Sequence, residues 1–213
     1  TLTDAGTIDP QIGSLLGMVY AAALGLAGWF RYAKKSVLAP VFSITGGLLM
    51  FSIILESHAH FESIPAELAY MTLAATGVGL AITSYFHRVS LPILVGTFGM
   101  CFASVAIDWP APFFPYLALV LCLSNILSYF ATRLHRCSWL RWVTLVATIF
   151  MLMLWRTKLG SFVNFGGELQ HNLAPGWIYP ISFLLAGTFM AIALFGILRC
   201  GEQRISKFDL TLP

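Results

Sequence analysis

The sequence predicts an all-α polytopic integral membrane protein with seven transmembrane helices, its N-terminus outside and its C-terminus inside. Three observations carry that reading: too few charges to cover a water-facing surface, seven apolar runs of spanning length, and basic residues gathered on alternate connections. Charged residues make up 10% of the chain and apolar ones 58%, with a mean hydropathy of +0.83. A soluble domain carries roughly 25% charged residues. The net charge is only +3, and no basic run is long enough to suggest a nucleic-acid partner.

A bilayer crossing needs about 20 mostly apolar residues. Seven windows qualify: Ile12–Phe30, Val37–Leu55, Leu68–Phe86, Val89–Ile107, Phe113–Thr132, Trp139–Trp155 and Trp177–Leu198, together one transmembrane domain over residues 1–213. Backbone groups in lipid must be satisfied within the segment, and the alternation of barrel strands is missing, so the windows are helices.

The first window places small residues at every fourth position, Gly13, Gly17, Ala21 and Gly25. Such a stripe lets a second helix approach closely, whether from this chain or from another subunit. The second window runs into Glu56-Ser-His-Ala-His-Phe-Glu62, with Glu67 just beyond. This stretch reads as a short polar loop at the membrane surface. The third window carries a weaker stripe of Thr72, Thr76, Gly79 and Thr83. Between the fourth and fifth lies Asp108-Trp-Pro-Ala-Pro-Phe-Phe-Pro115, a stiff turn, since prolines interrupt a helix. The fifth window holds Ser124, Asn125 and Ser128, and Asn125 is expected to hydrogen-bond across helices or to a polar ligand group. In the sixth, Arg141 intrudes near the start, a position from which arginine snorkels to headgroups. The connection from Arg156 to Gly176 is the only long one and reads as a lid or docking surface. Trp109, Trp139, Trp155 and Trp177 fall at window ends, where tryptophan anchors at the interface.

Charge sets the orientation. Arg31, Lys34, Lys35, Arg88, Arg133, Arg136, Arg141, Arg199, Arg204 and Lys207 share one side, leaving Arg156 and Lys158 opposite. The acids reverse this: Asp4, Asp9, Glu56, Glu62, Glu67, Asp108 and Glu168 lie opposite the bases, with Glu202 and Asp209 among them. The positive-inside rule then places the basic side in the cytoplasm. The chain begins at Thr1 without methionine, which fits either a removed leader or a position inside a longer product.

No Asp, Glu, Lys or His lies in the middle of a window, which argues against a proton pump or an ion-coupled transporter. The last window has no lysine for a retinal linkage, and the histidines lie at window ends or in connections, unsuited to a buried haem pair. Cys101 and Cys122 fall inside windows and Cys137 and Cys200 in basic connections; none has metal-ligand spacing, so they read as reduced thiols or small apolar residues.

The candidate site is therefore the histidine–acid stretch. His58 and His60 are the candidate metal ligands, with Glu56, Glu62 and His171 as neighbours on the same side. The same residue types serve general acid–base chemistry or a pH-responsive contact. The competing reading is a solvated polar loop, because the spacing lacks the His-Glu-x-x-His of zinc proteases. No cofactor is expected. Bound lipids are, with anionic headgroups drawn to the basic face around Arg133, Arg136 and Arg141.

Glu67-Leu-Ala-Tyr-Met-Thr-Leu73, Tyr85 to Gly99, Tyr116-Leu-Ala-Leu-Val-Leu-Cys-Leu-Ser-Asn125 and the basic turn before Trp139-Leu-Arg-Trp142 resemble a bacterial "predicted membrane protein" family, a domain of unknown function with many spans. The resemblance covers about two-thirds of the chain and implies a multi-pass protein of the bacterial inner membrane, with no catalytic residues to carry over. A weaker likeness, in outward histidines and several spans, is to cytochrome c assembly membrane proteins that handle haem, although their tryptophan-rich outer motif has no match here. The expected function is a non-catalytic accessory or scaffold subunit packed against other integral membrane subunits. The alternative is outer-face binding or processing of a lipid-linked, quinone-like or haem-like molecule.

Overall fold

The computed structural model describes residues 10–61, 63–107, 113–135, 139–165 and 175–198. These residues form α1 (Pro10–Ala33), α2 (Ala39–Ala59), α3 (Ala66–His87), α4 (Leu91–Ala106), α5 (Phe114–His135), α6 (Trp139–Phe165) and α7 (Ile178–Leu198), with a 3₁₀ turn at Pro175–Trp177 leading into α7. No strand occurs among them. Six of the described helices are long and apolar enough to cross a membrane. The fourth is shorter than its expected window. It has 16 residues, starts just ahead of Pro92, and is about 24 Å long at 1.5 Å per residue.

The helices group into two compact units, residues Thr1–Pro112 and Phe113–Pro213. In the first, α1 and α2 pack antiparallel along part of the small-residue stripe, at Gly17 and Ala21 and against the Gly25 backbone, although a Cβ on Gly25 itself would meet nothing within 4 Å; a partner of that stripe therefore lies within this chain. A Cβ on Gly46 would sit 2.7 Å from the Gly25 nitrogen and 2.9 Å from the Ala21 carbonyl oxygen. A Cβ on Gly28 would sit 2.8 Å from the Ser43 nitrogen. The buried positions Ser14, Ala21 and Gly28 recur every seven residues, as in a left-handed supercoiled pair. Without a hydrophobic drive between helices in lipid, this backbone proximity and its dispersion contacts hold the pair. Ser43 serves this seam by its size: it is buried, and its hydroxyl has no hydrogen-bond partner.

Helix α4 lies against both α2 and α3. Gly77 beneath Met100 and Gly99 beneath Phe51 leave no room for a side chain, and Gly96 rests on Leu80 and the Gly77 backbone. The threonine hydroxyls of the weaker α3 stripe are engaged within their own helix. Thr72, Thr76 and Thr83 donate back to the carbonyls of Leu68, Thr72 and Gly79, one turn earlier on the same helix. Both hairpin turns at the far end of this unit hold a basic residue in the left-handed region, Lys35 at φ 52° and Arg88 at φ 54°. Arg88 closes α3, its N–H donating to the Ser84 carbonyl.

In the second unit, α5 and α6 run antiparallel around a polar ladder. Asn125 is 2% exposed. It donates to the Leu121 carbonyl at 2.9 Å and across to the Thr148 hydroxyl at 3.0 Å, fulfilling the expected cross-helix role. The Leu121 carbonyl can only accept, which fixes the amide nitrogen on that side and leaves Asn125 Oδ1 buried with no partner. Replacing Asn125 with leucine removes its two hydrogen bonds and its one unsatisfied oxygen together. Its stability in detergent should change by less than about 1 kcal/mol by denaturant titration, whereas Asn125→Asp, which keeps a polar group without its donor, should be clearly destabilising.

Two expectations fail here. Trp155 does not anchor at an interface. It is fully buried and stacks on Phe114, with ring centroids 5.2 Å apart and planes 2° from parallel. Arg141 does not snorkel outward either: it is 3% exposed, its guanidinium 5.8 Å from the Tyr129 ring centroid. Trp139 and Trp177 are exposed at helix ends, as anchors require. Helix α7 packs on α5 and presents a wide apolar exterior that includes Tyr179, Phe183 and Met190.

The long connection is also shorter than read. Arg156 to Phe165 continue α6, a 27-residue helix of about 40 Å. No proline interrupts this segment, and helical hydrogen bonding continues where the apolar character stops.

Candidate functional site

The histidine–acid stretch is built less as a loop than as two helix ends joined by a tight turn. Glu56 to Ala59 form the last turn of α2, and Glu67 lies in the first turn of α3. The helical ladder simply runs on: the N–H groups of His60 and Phe61 both donate to the Glu56 carbonyl, at 3.0 and 3.2 Å. The chain then folds back. Ser63 donates through both its N–H and its hydroxyl to the Ser57 carbonyl, each at 3.0 Å, capping the end of α2. Pro65, extended at φ −65° and ψ 151°, starts α3.

His58 helps to lock this turn. Its Nδ1 lies 2.7 Å from the Ile64 carbonyl oxygen. A carbonyl accepts only, so Nδ1 carries the proton and Nε2 is the lone-pair nitrogen of the neutral ring. His60 is exposed and meets Phe61 edge-on, with centroids 5.0 Å apart. The two candidate ligands therefore differ in role: His58 is half-buried and structural, His60 faces outward. Replacing His58 with alanine should lower stability by about 1 kcal/mol by losing the Ile64 bond, while His60→Ala should shift it by less than about 0.5 kcal/mol. Thermal unfolding of the two variants in the same detergent checks the contrast.

Glu62, Asp108, Trp109, Glu168 and His171 lie outside the described residues. Among the described residues, no three His, Cys, Asp or Glu side chains gather in an arrangement that could hold a metal ion.

What surrounds the turn is a pair of adjoining clefts against the first half of α1. One, of about 90 Å³, is lined by Gly13, Ser14, Gly17, Ile53, Glu56, Ser57 and Phe61. The other, of about 250 Å³, is lined by Gln11, Ser14, Leu15, Met18, Ser63 and Ile64. Ser14 belongs to both, its hydroxyl 3.1 Å from that of Ser63 in the larger cleft. Of the residues singled out in the sequence as candidate ligands and their neighbours, Glu56 alone among the described ones lines these clefts. Ser14, Phe61 and Ser63 join it through folding. The sequence signals for this place were the small-residue stripe, which supplies Gly13 and Gly17, and the histidine–acid stretch, which contains Phe61; nothing marked Ser14 or Ser63.

At the opposite end of the same unit, Trp29 meets His87 edge-on at 4.8 Å and Tyr32 stacks on it at 5.5 Å. The Tyr32 hydroxyl and His87 Nε2 are both buried without a hydrogen-bond partner. Arg31, Lys34, Lys35 and Arg88 surround this end, whereas Glu56 and Glu67 mark the other, so charge is segregated along the unit. Cys101 and Cys122 are buried and form no disulfide, as expected; Cys137 and Cys200 lie outside the described residues.

No known protein family, no curated protein and no solved structure matches the chain.

Proposed function

We propose that this helical membrane protein is a non-catalytic accessory or scaffold subunit of a larger membrane complex, seated in a bacterial inner membrane. It crosses the bilayer seven times with the N-terminus outside and the C-terminus inside. The observation that carries the reading is where the polar side chains are engaged. The α3 threonines bond their own helix, Asn125 bonds Thr148, and His58 bonds Ile64. The outward faces are left apolar, with Leu16, Tyr20, Phe86, Phe102, Met153 and Phe183 exposed. Faces of this kind meet lipid tails or the helices of neighbouring subunits. Anionic lipids attend the basic end.

Extraction from the native membrane in a gentle detergent tests the proposal. Co-migration with one or more membrane partners supports it, and a lone monomer sinks it. The orientation has its own test. A cysteine placed at Ala59 should react with a membrane-impermeant maleimide on intact cells, while one at Lys35 should react only after permeabilisation; the reverse pattern overturns the topology.

A second reading, outer-face binding of a lipid-linked, quinone-like or haem-like amphiphile, is favoured by one observation. The cleft pair places a carboxylate and hydroxyls beside an apolar groove at the acidic end of the first unit.

A further inference from the structure

We infer that the two clefts form one binding site for an amphiphile whose headgroup carries an ammonium cation. The inference rests on the second reading above and gives it a ligand class.

The smaller cleft has the chemistry of a cation site. Gly13 and Gly17 line it without side chains, so the α1 backbone comes close to whatever sits there. Glu56 lines it too, exposed and in no ion pair among the described residues. Phe61 is the aromatic residue of the same lining. A carboxylate and an aromatic ring converging on a small hollow suit an ammonium group, by Coulomb attraction and by the negative ring face. They disfavour a headgroup whose only charge is a phosphate or a carboxylate. The described basic side chains of this unit, Arg31, Lys34, Lys35 and Arg88, all lie at its other end.

The larger cleft has the chemistry of a chain site. Leu15, Met18 and Ile64 line it, and its volume of about 250 Å³ exceeds the 90 Å³ of the head cleft. Methionine adapts its shape to irregular apolar partners. Ser14 lines both clefts and its hydroxyl is 3.1 Å from that of Ser63 in the larger one, a polar pair for the phosphate, ester or glycerol oxygens of a lipid. The order along the site, cation then polar linker then alkyl chain, is that of a zwitterionic or cationic lipid. A soluble amine would leave the larger cleft unused.

Native mass spectrometry of the purified full chain, with equimolar phosphatidylcholine and phosphatidylglycerol of the same acyl chains, tests this. Phosphatidylcholine should be retained about tenfold more than phosphatidylglycerol. Glu56→Gln and Phe61→Leu should each remove most of that preference, and Glu67→Gln, on the same face but outside the clefts, should leave it intact. These positions are exposed or half-exposed, so the helices should keep their packing, and circular dichroism of each variant verifies helix content.

Equal retention of the two lipids overturns the proposal, as does equal loss with Glu56→Gln and Glu67→Gln, which would signify general surface charge. Choline that binds as tightly as the lipid overturns the amphiphile assignment. If phosphatidylglycerol or a quinone is retained instead, and Leu15→Ser weakens it while Glu56→Gln does not, the outer-face binding reading stands and the ammonium class falls.

Discussion

Gly46→Leu should be the most damaging single change in the first unit. Even a Cβ at this position lies 2.7 Å from the Gly25 nitrogen, against backbone that cannot swing aside. Leucine must push α1 off α2 along their seam, or move the crossing point by a turn. Overpacking in a rigid core costs about 1–3 kcal/mol, and a backbone clash belongs at or above the top of that range. A midpoint of chemical unfolding in detergent micelles reads the loss. Gly79→Ala is the control, because nothing lies within 4 Å of a Cβ there. Alanine is the better helix former by about 1 kcal/mol, so that variant should be as stable as the parent or slightly more so. A Gly46→Leu protein as stable as Gly79→Ala would mean that the seam is not tightly packed.

The corresponding change in the second unit is Trp155→Ala. The ring is fully buried and lies flat on Phe114, so its removal opens a large cavity between α5 and α6. Water-soluble cores lose about 3–5 kcal/mol for such a truncation, part of it from transfer out of water. Helices that separate into lipid do not recover that part, so the expected loss is about 2–3 kcal/mol, from lost dispersion contacts. Trp155→Phe should restore most of it by keeping a stacked ring. Trp177→Ala, at an exposed position, should change unfolding by less than about 0.5 kcal/mol. Equal effects at Trp155 and Trp177 would refute the packed core.

These two residues show what the sequence carried and what it did not. Hydropathy locates a residue along the membrane normal, which is why both tryptophans looked like anchors. It does not give the rotation of the helix, and rotation is what turns Trp155 inward. The glycine stripe was legible because small residues at a fixed spacing mean close approach, and Asn125 was legible because one amide in an apolar run must find a partner. Which helix would face the stripe was beyond the sequence.

The end of α6 was misread for a related reason. Apolar character stops near Trp155, but helical hydrogen bonding needs only the absence of a breaker and continues to Phe165. The cleft was the least legible feature. It joins Ser14 to Ser63 across 49 residues, and neither serine stands out from its neighbours. The histidines drew attention by residue type, yet the structure uses His58 as a clasp on the turn and leaves Glu56 and Phe61 at the opening.

Lys35 and Arg88, the two non-glycine residues with positive φ among those described, have a consequence for biogenesis. A left-handed conformation costs an L-residue roughly 1–2 kcal/mol, and glycine would relieve it. Glycine would also remove a positive charge from the apex of a newly made hairpin. In the orientation proposed above, a cation at that point resists passage through the translocation machinery, so each turn would carry its own retention signal. The two demands, a relaxed backbone in the finished protein and a correctly threaded chain during synthesis, pull toward different residues. A glycine at both positions should therefore yield a hairpin that closes more easily and inserts less faithfully.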